Sequence, residues 1–105
     1  MIVITRTPNS ITICGHANYA EYGKDIVCAS VSTLTQTLIA SLEKMKDDDF
    51  SYRAEAGNVE IVFNEDLSEI AQLLIKSFFI GANGVAAAYP DYVTVTDCCG
   101  LSEHL

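Results

Sequence analysis

Basic side chains are scarce in this sequence: six Lys and Arg stand against fourteen Asp and Glu, for a net charge of −8. Nucleic-acid binding rests on clustered Lys and Arg that neutralise phosphates, so no direct nucleic-acid contact is expected. An acidic membrane surface would repel such a chain, whereas a basic protein would be attracted to it. Long apolar runs are missing too. The opening MIVITR holds four apolar residues before Thr5 and Arg6, short of the roughly 7–15 that a signal peptide needs. No window approaches the roughly 18 apolar residues of a membrane span. The expected location is therefore cytoplasmic, where thiols stay reduced. The four cysteines include no C-x-x-C pair, and adjacent Cys98 and Cys99 could hardly bond each other without strain. They read as thiols.

Tryptophan is absent, and proline and glycine are sparse, at two and six. Half of the 105 residues are hydrophobic and 19% are charged. That is too apolar for a disordered chain and enough for one compact core.

Two β-rich runs open the chain, residues 1–6 and 10–14, with a turn at Thr7-Pro8-Asn9. Residues 17–24 have no apolar period and read as a loop. A helix over residues 25–46 follows, with Val27, Val31, Leu34, Leu38, Leu42 and Met45 on one face. Asp25 is its cap, Lys44 and Lys46 suit its C-terminal end, and Asp47, Asp48 and Asp49 mark the exit. Residues 50–56 and 59–63 form a second hairpin through Gly57-Asn58. Asn64-Glu65-Asp66 supplies the cap of a second helix over residues 67–89, with Leu67, Ile70, Ala71, Leu74, Phe78, Ala82, Val85 and Tyr89 on one face. Gly81, Gly84 and Ala88 give that helix small residues for a close contact. Pro90 ends it, and residues 92–96 make a last strand. The order is ββαββαβ: an α+β domain of two layers, a mostly antiparallel sheet with two helices packed on it. Residues 1–97 form that single domain, and residues 98–105 are a tail without an assigned role.

Chemistry concentrates between Gly15 and Ser32. His16 ends a strand, and Cys28 falls in the first turn of the next helix. A helix N-terminus and a neighbouring imidazolium both favour a thiolate, and free helix N–H groups can hold an oxyanion. A Cys and His so placed suit covalent acyl transfer. Asp25, Cys28 and Ser32, three and four apart, share a helical face. Plainer roles stand beside these: Cys28 as a small buried hydrophobe, Asp25 as a helix cap alone, Ser32 as a solvent-facing hydroxyl.

Gly15-His16-Ala17, the tyrosines Tyr19 and Tyr22 with Gly23, and Asp25-Ile26-Val27-Cys28-Ala29 closely resemble the motifs of the ribosomal-processing cysteine protease family, Prp. The likeness runs to about residue 95, through a helix closing at Tyr89-Pro90 and a strand with Tyr92-Val93. It implies an endopeptidase that removes the N-terminal extension of a large-subunit ribosomal protein, cuts beside aromatic residues and works as a homodimer. It also implies Cys28 as nucleophile and His16 as base, with Asp25 and Ser32 orienting or binding substrate. The loop Ala17, Asn18, Tyr19, Ala20, Glu21, Tyr22, Gly23 and Lys24 would move when substrate binds. No cofactor and no metal are required. Two other readings remain. A structural zinc site could draw on Cys14, His16, Cys98, Cys99 and His104, although their spacing is poor. A ribosome-associated binding module could use Cys28 only for packing.

Overall fold

A computed structural model of the chain describes residues 1–21, 23–45, 49–64 and 66–98. Its elements are β1 (Ile2–Thr7), β2 (Ser10–Cys14), α1 (Ile26–Met45), β3 (Phe50–Glu55), β4 (Asn58–Phe63), α2 (Glu69–Ala88) and β5 (Val93–Asp97). The strands form one sheet in the order β3-β4-β2-β1-β5. Every neighbouring pair is antiparallel except β1 and β5, which run parallel with Ile2 opposite Val93. The expected α+β order is therefore present, on a mixed sheet.

Alternation along the strands decides which face is covered. Ile4 lies beside Ile13, and Ile11 beside Ile61. All four are buried, while Val3, one residue out of phase, is 38% exposed. The two helices cover that inner face and touch each other. At Gly81 they pack tightly, since a Cβ there would sit 2.7 Å from Leu34 Cδ2. The close contact expected of the small residues is thus made by Gly81; around a Cβ on Gly84 there is open space.

Several boundaries and faces differ from the sequence reading. The cap of α2 is Ser68, whose hydroxyl accepts the Ala71 N–H at 3.1 Å. Asn64 instead continues the hairpin, its N–H bonding the Asp49 carbonyl at 3.0 Å. The second hairpin turns at Ala56-Gly57, because Asn58 already pairs with Glu55 and only Gly57 takes the required φ of +74°. On α1, Thr35 and Ile39 join the buried face while Met45 is 49% exposed. Thr35 is admitted because its hydroxyl donates to the Val31 carbonyl at 2.8 Å. On α2, Ile75 and Phe79 are fully buried, whereas Ile70 faces out with Leu73 and Ile80. By length and composition both helices could cross a membrane, with mean hydropathy 1.3 and 1.4. This departs from the expected absence of such a window, and arises because few charges interrupt the Ile, Leu, Val and Ala of each helix. Here one face of each helix is packed on the sheet.

Candidate active site

His16 owes its position to two glycines. Gly15, at the end of β2, has φ +97°, and a Cβ there would run into the Met1 carbonyl. The Gly15 N–H reaches the Gly57 carbonyl at 2.9 Å, tying the strand end to the β3–β4 turn. The imidazole of His16 then lies over Gly57, where a Cβ would be 2.6 Å from Nε2. The Met1 nitrogen donates to the His16 carbonyl at 2.7 Å. Gly57 was legible as a turn residue; its second task, making room for a ring forty-one positions earlier, had no local signal.

Cys28 sits half-buried in the first turn of α1. Its N–H donates to Asp25 Oδ1 at 2.9 Å, and the Ala29 N–H donates to the Asp25 carbonyl at 3.1 Å. The Cys28 N–H is therefore spent on the cap and the Ala29 N–H on the first helical bond, so neither of these two amides stands free for an oxyanion. The thiol receives a donor from elsewhere: the Ala17 N–H points at Sγ, 3.3 Å away. The other Asp25 oxygen accepts the Tyr19 N–H at 3.0 Å. The Cys28 bond, above all, holds the Asp25 carboxyl below its ordinary value of 3.8, with Tyr19 assisting against partial desolvation. Asp25 thus caps the helix and ties the preceding loop to it.

That loop is not uniformly loose. Ala17 is buried, and Tyr19 sets its ring edge-on to Tyr89 and Tyr92, with centroids 5.4 and 5.1 Å apart. Ala20 too donates its N–H to the Asp25 carboxylate, whereas Glu21, Gly23 and Lys24 are different in kind. Lys24 and Glu21 form an exposed ion pair at 3.1 Å, an interaction of little weight in water. Gly23 has φ +86° and open space around it. Tyr22 lies outside the described residues.

A cleft of about 380 Å³ opens between α1 and the β3–β4 hairpin. Gly15, His16, Cys28 and Ser32 line it, together with Val31, Thr35 and Ile39 of α1 and Ala54, Gly57 and Val59 of the hairpin. Three of the expected site residues, His16, Cys28 and Ser32, thus meet at one cavity. Asp25 acts from behind Cys28. No group of three or more metal-ligating side chains occurs among the described residues. Cys14 instead donates to Asn58 Oδ1 at 3.3 Å, and Cys99 and His104 of the zinc reading lie outside the described residues.

A thiol at a capped helix N-terminus, an imidazole on the same apolar cleft and a two-layer α+β scaffold define a small cysteine protease. The chain belongs to the cysteine protease Prp family, whose model matches residues 1–94. It is 30% identical, over 83% of each chain, to the ribosomal processing cysteine protease Prp of Bacillus subtilis. Among solved structures it resembles SMU.848 from Streptococcus mutans, with TM-score 0.71 and 31% identity over 91% of this chain and 90% of that one. It also shares its fold with the S. aureus ribosomal processing protease Prp in complex with a covalently linked product peptide. That match has TM-score 0.82 and 20% identity over 91% of this chain and 96% of that one. Membership in a protease family sets aside the reading as a binding module without catalysis.

Proposed function

We propose that this enzyme removes the N-terminal extension of a large-subunit ribosomal protein, with Cys28 as nucleophile and His16 as its base. The carrying observation is that both side chains line one cleft while a backbone N–H is already directed at the sulfur. His16 takes the thiol proton, and Sγ attacks the scissile carbonyl carbon, forming a C–S bond and an oxyanion. Collapse of that intermediate breaks the C–N bond, and His16 returns its proton to the leaving amine. Water, deprotonated by His16, then attacks the thioester, releasing a carboxylate and restoring the thiol.

The cleft supports a peptide substrate with an apolar side chain near the cut. Ile13, Val31, Ile39 and Val59 give it apolar walls, and Ser32 offers a hydroxyl one turn beyond Cys28. A net charge of −8 suits a basic ribosomal partner and neither a nucleic acid nor an anionic membrane. The enzyme acts in the cytoplasm, where ribosomes are assembled and Cys28 stays reduced. It works as a homodimer, a reading supported by Ile70, Leu73 and Ile80, which are 41–68% exposed along the outside of α2. The weakly held residues Glu21, Gly23 and Lys24 belong to the part of the loop that closes over substrate.

Incubating the purified protein with the ribosomal precursor of its own species tests the proposal. A product shortened at its N-terminus by the wild type but not by Cys28→Ala is expected. An unchanged precursor, or cleavage by both proteins, overturns it.

A further inference from the structure

The bond to Cys28 Sγ comes from the residue that follows His16, not from the helix that carries the thiol. Ala17 is 3% exposed, so its N–H has little access to water as an alternative acceptor. At the next residue, Asn18, the chain turns with φ +56°, a left-handed conformation that Asn takes more readily than other L residues. Tyr19 provides two anchors: its N–H on Asp25 Oδ2 at 3.0 Å and its ring between Tyr89 and Tyr92. Tyr89 is the C-cap of α2 and Tyr92 immediately precedes β5. One side chain therefore docks the segment after His16 onto a notch built by the far end of the chain.

We propose that the Ala17 N–H is a catalytic donor and that Tyr19, seated in the Tyr89–Tyr92 notch, is the positioning residue that aims it. The proposal rests on the Cys28 thiolate reading and deepens it. Before attack, the N–H stabilises negative charge on Sγ. During attack that charge passes to the carbonyl oxygen, which lies two bonds from Sγ, within reach of the same donor. With the Cys28 and Ala29 amides already bonded to Asp25, Ala17 supplies a donor that does not compete with the helix cap. Asp25 then does two things with one carboxylate: it fixes the nucleophile's turn through Oδ1 and the donor's segment through Oδ2.

Alkylation of Cys28 by iodoacetamide at neutral pH reads the donor directly and needs no substrate. Peptide mass spectrometry distinguishes this adduct from those at other cysteines. In the full chain, Tyr19→Ala is expected to slow Cys28 alkylation about tenfold, the effect of losing one hydrogen bond to a charged group. It should also speed hydrogen exchange at the Ala17 amide. Tyr19→Phe, which keeps the ring-to-ring contacts, restores both. Tyr92→Leu attacks the same notch from the other element and should slow alkylation as well, which keeps the test open if Tyr19→Ala does not fold. Equal or faster alkylation in a folded Tyr19→Ala or Tyr92→Leu variant overturns the proposal, as does an Ala17 amide that stays protected. Failure of the protease reading looks different: it is a precursor left unchanged by the wild type, or cleaved by Cys28→Ala as well, whatever the alkylation rates.

Discussion

The two ββα halves of the molecule use the same device to different ends. Each has a hairpin, a connection and a 20-residue helix. Each helix is capped by a side-chain oxygen that accepts the N–H three residues on: Asp25 from Cys28, Ser68 from Ala71. The capped residue is a half-buried thiol on a cleft in the first half and a fully buried core alanine in the second. The difference lies in the connections. Only five residues separate β4 from α2, and Ala71 in its first turn is fully buried. Residues 15–25 are long enough to place His16 over the neighbouring hairpin and return under Tyr19, leaving the first turn of α1 beside a cavity. A thiol beside a cleft thus arises at an ordinary capped helix when the entering chain is long enough to reach a neighbouring hairpin.

The sharpest break of this comparison removes the chemistry and keeps the scaffold. Cys28→Ala and His16→Ala should each lower precursor cleavage by at least about a thousandfold, as losses of catalytic nucleophile or base do elsewhere. Thermal unfolding should hardly move. A Cys28→Ala protein that keeps a tenth of the activity would show the nucleophile to be another residue.

Next in size is Gly57→Ala. The added methyl meets the His16 ring and must take φ +74°, which costs about 1–2 kcal/mol in backbone strain. Cleavage should fall much further than stability implies, with kcat more affected than KM. Normal kcat would mean that the imidazole does not need this seat.

The two caps give an internal control. Ser68→Ala should cost about 1 kcal/mol of stability and leave kcat alone. Asp25→Ala should reduce both stability and kcat, because the carboxylate also holds Tyr19. The Asp25 carboxyl titrates below its ordinary value of 3.8 when folded. Its stabilisation is therefore complete above that value and is lost as pH falls through the lower folded-state value. Melting curves taken down from pH 5 should converge for wild type and Asp25→Asn at the acid end. Parallel curves would exclude the linkage.

The smallest effects separate the glycines of α2. Gly84→Ala meets nothing within the chain and should gain about 1 kcal/mol from helix propensity. Gly81→Ala gains the same propensity but must push Leu34 aside, so it should be neutral or destabilising. Gly84→Leu, read by sedimentation, adds the oligomer: if the outside of α2 docks a second copy, the dimer weakens.

Alternating isoleucines in β1 and β2, and the apolar stripe of α1, made the layer order readable in sequence. The His16–Cys28 pairing was readable because it lies within one local segment that resembles a known motif. What escaped depends on contacts between distant residues. Ser68, not Asn64, is the cap because α2 begins at Glu69, while the Asn64 N–H continues the hairpin onto Asp49. Gly57 serves His16 only because β2 and β4 are neighbours. The loop was expected to move when substrate binds; that Ala17 and Tyr19 have partners at Cys28, Asp25, Tyr89 and Tyr92 was not foreseen. No periodicity within residues 17–24 could announce partners seventy positions away.

The seat of Tyr19 also sets a schedule for biogenesis. Chains emerge from the ribosome N-terminus first, at about 5–20 residues per second. His16 and Cys28 are therefore exposed long before Tyr89 and Tyr92 exist to receive the ring between them. The Ile2 N–H likewise waits for the Tyr92 carbonyl, and β1 for its parallel neighbour β5. On the proposed mechanism, a nascent chain carries His16 and Cys28 without the arrangement that aims them, and competence waits until residues 89–97 have emerged.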